Sequence, residues 1–239
     1  AKLNPFMTSC GVIFTLDAAS RAASILNKDD TLSIEWKDTA EKLKKSLPNN
    51  GKQYVPYAGC KDESIAIMGG IFPYPVFDAG NDLQKNAIYG FVKNGRASGN
   101  MYPVGNSVCP WYAGWMASAL AMIGDKTEPA KLLAESTGTA GCFSELFEIN
   151  EPEVVMHPWF STASGNFVYA LNQMLIQSHG NQISIAPAVP EDWKEFSFKL
   201  ASLDNLAVSA AITNGKIMKL TMIPGDLGNT MIKRIVLPA

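Results

Sequence analysis

The chain has 239 residues, 47% of them apolar and 18% charged, so it can bury a core and is too apolar for a disordered segment. Twenty basic and 22 acidic residues leave a net charge of −2, and no Lys/Arg run is long enough to track a phosphate backbone, so nucleic acid is not an expected partner. There is no uninterrupted apolar run of about 18 residues, so no membrane span is expected.

The first two thirds read as helices. Val12, Leu16, Ala19, Ala23 and Leu26 recur at helical spacing and predict a helix over 11–26. Trp36, Ala40, Leu43 and Leu47 predict a second, ended by Pro48-Asn49-Asn50-Gly51. Leu83, Ala87 and Phe91 mark a third, closed by Asn94-Gly95. Val108, Tyr112, Trp115, Ala119 and Met122 mark a fourth, closed by Gly124. A short fifth opens at Thr127, with Pro129 in its first turn, and runs to Ser136. Phe167, Leu171, Met174 and Ser178 mark a sixth, closed by His179-Gly180. The loops 48–79, 95–107 and 137–163 are long and rich in Gly, Pro and aromatics, a pattern of segments that carry function.

From Gln182 onward the period changes to two. Leu206, Val208, Ala210 and Ile212 alternate with their neighbours, and Ile217, Leu220 and Met222 lie beyond Asn214-Gly215, a strong hairpin signal. The fold class expected is mainly α, six helices over 1–181, with a small antiparallel β module over 182–239 that packs on them. Cys10, Cys60, Cys109 and Cys142 lie far apart without a CxxC pair, and His157 and His179 match no zinc spacing. Free thiols, no metal and no cofactor are expected.

Three stretches carry a family resemblance. Phe160–His179 followed by Ile183–Trp193 is similar to the last helix and first tail strands of the bacterial α-L-fucosidases built on an (α/α)6 barrel. There a GNF…MLLQSH helix runs into an LLPALPxxW strand and then a GSF strand, and Phe196-Ser197-Phe198 stands at the last of these. Phe143-Ser144-Glu145-Leu146-Phe147-Glu148, with His157-Pro158-Trp159-Phe160 after it, resembles the glucoamylase segment in which a base-bearing loop precedes PWFxWS. Asn4-Pro5-Phe6-Met7-Thr8-Ser9 before an apolar helix is similar to a helix of the maltose and trehalose phosphorylases. The resemblance implies the second half of an (α/α)6 barrel, helices seven to twelve of twelve. It also implies that the general acid falls before residue 1, so a missing N-terminal half is an expected partner.

By that resemblance Glu145 is the general base of an inverting glycosidase acting on a carbohydrate substrate, in a bacterial periplasmic or extracellular setting. Such enzymes set two carboxyl groups roughly 6.5–9.5 Å apart so that a water fits beside the base. Glu148 is the second candidate, and the acidic run Glu148, Glu151, Glu153 leaves open a solvated surface instead. Asp62 and Glu63, in a Gly/aromatic loop, either line the site or form an acidic pair ahead of a helix at Ile65–Met68. Trp111 and Trp159 are candidate sugar platforms, with Tyr112, His157 and Asn166 as further substrate contacts, against the plain alternative of core aromatics and a structural histidine. The fucosidase pattern has an Asp where this chain has Ser164, which cannot act as a carboxylate. Two further readings stand beside hydrolysis. One is a non-catalytic carbohydrate-binding or assembly protein. The other is a phosphorylase on the same fold, which Glu145 at the base position argues against.

Overall fold

A computed structural model describes residues 5–95, 97–151, 153–202, 206–225 and 234–238. Asn4, which opens the third resembling stretch, and Pro152 lie outside the described residues. The chain divides into two compact units, residues 1–101 and 102–239.

The first unit holds α1 (Phe6–Leu26), α2 (Asp30–Lys45), a 3-10 helix (Ile65–Gly70) and α3 (Asp82–Gly95). α1 starts five residues before the expected position. Pro5 gives it an extended N-cap, and Phe6 N–H donates to the Pro56 carbonyl at 2.8 Å. The buried stripe is Phe6, Cys10, Ile13, Ser20 and Ala23. Val12 and Leu26 from the expected stripe are exposed. α1 is apolar on most sides, so periodicity alone picked a neighbouring face.

α1 bears on the membrane expectation. An 18-residue window within its 21 residues reaches a mean hydropathy of 1.2, so it is long and apolar enough by composition to cross a bilayer, although Ser, Thr, Asp17 and Arg21 interrupt any purely apolar run. In the structure it packs against α2 and the 3-10 helix. Small residues permit the close approach to α2: Ser20 Oγ donates to the Ser33 carbonyl at 2.9 Å, and Ser33 Oγ to that of Ser20 at 3.1 Å. The reciprocal pair satisfies buried hydroxyls that would otherwise oppose packing. Asn27 and Asp29 at the α1–α2 turn adopt left-handed backbone, which Asn and Asp tolerate better than most residues.

The second unit holds α4 (Pro110–Met122), α5 (Glu128–Ser136), α6 (Ser161–Leu175) and, among the described residues, six strands. α4 buries ten of its thirteen residues and packs against both α5 and α6. Ahead of α5, Asp125 Oδ1 accepts the N–H groups of Thr127 (2.9 Å) and Glu128 (2.8 Å), supplying donors' partners at that helix start.

The sixth helix ends earlier than expected. Ile176–His179 is strand β1, paired antiparallel with β2 (Gln182–Ile185) in the register Ile176↔Ile185 to His179↔Gln182. Gly180, with φ 52°, is thus a hairpin turn residue and not a helix stop. β6 (Arg234–Val236) joins β2 in parallel. β3 (Glu195–Ser202), β4 (Leu206–Thr213) and β5 (Lys216–Pro224) form an antiparallel meander. The Asn214-Gly215 hairpin is present, with φ 49° and 74° at the two residues as a type I′ turn requires. Leu206, Val208, Ala210 and Ile212 face inward and share one apolar core with Ile176, Ile183 and Ile185. The β1–β2 hairpin is tied to the helices at its base: Gln177 Nε2 donates to the Ala121 carbonyl at 2.7 Å, and Ala186 N–H to that of Leu175 at 2.7 Å.

Candidate functional site

The segment 141–160 enters α6 as an irregular hairpin. Glu148 N–H donates to the His157 carbonyl at 2.9 Å, Met156 N–H to Glu148 at 3.0 Å, and Phe160 N–H to Leu146 at 2.9 Å. Leu146 and Ile149 are buried and anchor it, and Glu145, Phe147 and Glu148 are half-buried. Glu145 Oε2 accepts the Phe143 N–H at 2.9 Å, and its main chain closes the same turn through Gly141 N–H donating to the Glu145 carbonyl at 2.9 Å. A Cβ at Gly141 would meet the Glu145 carboxylate, which would have to move aside. The carboxylate therefore lies across its own loop.

That loop presents two aromatic rings. Phe143 is 75% exposed and Trp159 64% exposed, yet the rings stack, with centroids 6.2 Å and planes 21° apart. Trp159 holds this pose with φ 61°, an unfavourable backbone region for a bulky residue. Glu148 and His157 also meet, Oε2 to Nδ1 at 3.1 Å on the surface. From sequence Phe143 is an aromatic flanking Glu145 and not a candidate substrate contact. The available signal was an aromatic two positions before the candidate base.

Trp111, Tyr112 and Asn166 form a different group. Trp111 packs edge-on against Tyr112 (5.0 Å) and Trp115 (4.7 Å), and Tyr112 against Tyr102 (5.1 Å). Burial pushes the Tyr112 phenol well above its usual range, with Tyr102 adding to the effect. Asn166 Nδ2 points to the Trp111 carbonyl at 3.4 Å, and the Asn166 backbone sits against Gly114, so this residue locks α6 to α4. Both Trp111 and Tyr112 are half-buried wedges at the start of α4.

Asp62 and Glu63 belong to the first unit. Ser64 caps the 3-10 helix by accepting Ala66 N–H at 3.2 Å, so the acidic pair does precede a helical turn. The same two residues line a cavity of about 400 Å³, together with Asn50, Gln53, Tyr54 and Phe91.

No protein-family model matches the chain, and no curated protein matches it in sequence. Solved structures do match. One of them, a glycosidase, aligns with a TM-score of 0.55 over 71% of this chain at 12% sequence identity. The fold is glycosidase-like. The chain spans about half of that structure, 52% of its length.

Proposed function

We propose that the chain is a carbohydrate-active protein of the glycosidase type, with the segment entering α6 as its sugar-facing edge. The observation that carries this reading is the Phe143–Trp159 stack beside Glu145, on a glycosidase-like fold. Exposed aromatic faces suit the C–H faces of a sugar ring, and an adjacent carboxylate suits its hydroxyls.

In the inverting reaction proposed, Glu145 takes a proton from a water, whose oxygen bonds to the anomeric carbon. The glycosidic bond breaks, and its oxygen receives a proton from a general acid. By the sequence resemblance that acid belongs to a preceding half of an (α/α)6 barrel, with residues 1–181 as the second half and 182–239 as the β module. Glu148, tied to His157, is less suited to the base role because its carboxylate already faces a cation-capable partner. Nitrophenyl α-glycosides test this, assayed on the chain alone and with an N-terminal half added. The Glu145→Gln variant should lose turnover and keep sugar binding. Unchanged turnover in that variant overturns the base assignment.

A second reading, carbohydrate binding without catalysis, draws on two observations. The Glu145 carboxylate is turned onto its own loop, and Ser164 stands where the fucosidase pattern has Asp. Saturable oligosaccharide binding with no hydrolysis under any of the assay conditions would favour it.

A further inference from the structure

We propose that residues 1–101 carry a separate site for a neutral, hydroxyl-rich small molecule of monosaccharide size. The site is the cavity between two arms of the loop after α2, residues 50–54 and 60–64, and one face of α3. It does not depend on the Phe143–Trp159 reading.

The cavity measures about 400 Å³, within the range of small-molecule pockets, roughly 300–1,000 Å³. α3 holds both arms. Asn86 Nδ2 donates to the Lys52 carbonyl at 2.9 Å, and Asn94 Nδ2 donates to Glu63 Oε1 at 2.7 Å. These two asparagines are about two helical turns apart. Ala87 and Phe91, one turn apart between them, supply an apolar floor, and the small Ala87 side chain leaves that floor open. The first arm is also braced from within. Asn50 Oδ1 accepts the N–H groups of Lys52 and Gln53, each at 3.0 Å, and Tyr54 is fixed between the rings of Phe6 (5.0 Å) and Phe77 (4.9 Å). A hollow with walls tied at this many points is not a gap left by loose chain.

The lining selects a ligand class. Asp62 and Glu63 repel an anion, and Lys61 on the same rim offsets part of their attraction for a cation. Acceptors are in excess: Glu63 Oε2 is buried and has no hydrogen-bond donor among the described residues. The amides of Asn50 and Gln53 offer both donor and acceptor groups. A neutral ligand with several hydroxyl donors and an apolar C–H face meets all of these conditions.

The test is a titration of the nitrogen-15-labelled 239-residue chain with D-glucose, glucuronate and methylammonium, followed by amide resonances. Glucose should shift residues 50–54, 60–64 and 86–94 saturably in the millimolar range. Glucuronate should bind at least about tenfold more weakly, the factor expected when one charge is opposed without compensation, and methylammonium should also bind more weakly because it lacks the hydroxyls and the C–H face. Glu63→Gln should weaken glucose binding by about tenfold, as loss of a charged acceptor does. Ala87→Leu, which fills the floor, should abolish it, and if that variant does not fold, Asp62→Asn on the exposed rim should weaken binding in its place. Absence of shifts in these three segments with glucose, galactose and mannitol at 100 mM overturns the proposal, as does tighter binding of either charged probe. Shifts confined to residues 143–159 also overturn it while leaving the Phe143–Trp159 reading intact. Shifts confined to the cavity segments support it and count against that platform.

Discussion

The rings of Phe143 and Trp159 stack at the surface of the second unit, centroids 6.2 Å apart, although neither residue is buried. Core packing does not account for the pair. Trp159 maintains it in a left-handed backbone conformation, which costs a non-glycine residue about 1–3 kcal/mol. The neighbouring Glu145 carboxylate steadies the other ring by accepting the Phe143 N–H.

Replacing Trp159 therefore has separable effects. Trp159→Ala removes the ring and keeps the strain, so the melting temperature should barely move while oligosaccharide affinity falls at least about tenfold, as for a Trp anchor in an interface. Trp159→Gly removes the ring and also the strain, and should raise stability by about 0.5–1 kcal/mol relative to Trp159→Ala. Calorimetric titration with maltose and thermal melts of both variants check this; equal affinity in all three proteins rejects the platform.

Glu145 has a structural as well as a proposed chemical role. Glu145→Gln retains an acceptor for the Phe143 N–H and should melt within about 0.5 kcal/mol of the parent, whereas Glu145→Ala should lose about 1 kcal/mol. Gly141→Ala places a methyl group where the carboxylate lies, and should displace it. On the hydrolytic reading, Gly141→Ala then lowers kcat with little change in KM. A kcat untouched by that displacement would argue that the carboxylate has no part in turnover.

The α4–α6 contact depends on the missing side chain of Gly114. A Cβ there would stand 2.7 Å from Asn166 Cβ and 2.9 Å from the Asn166 carbonyl carbon, and backbone does not yield cheaply. Gly114→Ala should destabilise by about 1–3 kcal/mol, which is roughly 2–4 °C of Tm per kcal/mol for a chain of this size. A melting temperature equal to the parent's would show that the two helices separate without cost.

The thiols differ in reactivity. Burial pushes the Cys10 thiol from 9.0 up to about 12, with Lys44 opposing, while Cys142 is exposed. A disulfide reagent at about pH 8 should label Cys142 quickly and Cys10 only on unfolding. Because the folded value lies above the unfolded one, the Cys10 contribution to stability is complete below about pH 9 and declines as pH rises toward 12. The raised Tyr112 phenol acts in the same direction. Urea midpoints should fall between about pH 8 and pH 10.5, and Cys10→Ala should flatten that slope.

Much of the fold was legible because its signals are local. Helical spacing within single segments marked all six α-helices, and Asn214-Gly215 fixed the β4–β5 hairpin through the positive φ values that turn demands. Local signals failed where two structures share them. His179-Gly180 serves a helix end or a hairpin turn equally well, and the pairing of Ile176 with Ile185, made possible by the shared apolar core, chose the hairpin. On α1, apolar residues cover most sides, so the buried face was decided by α2 and by the loop at Pro56 rather than by periodicity.

The sequence alone determined which segments carry the α-helices and the β4–β5 hairpin, and that Glu145 and Trp159 belong to one loop-rich segment ahead of α6. Tertiary structure decided that Phe143 faces Trp159, that Glu145 turns onto its own loop, and that Asp62 and Glu63 border a hollow against α3. The physical reason is range. Backbone propensity and turn chemistry act over a few residues, whereas the direction of a side chain is set by neighbours far away in the chain.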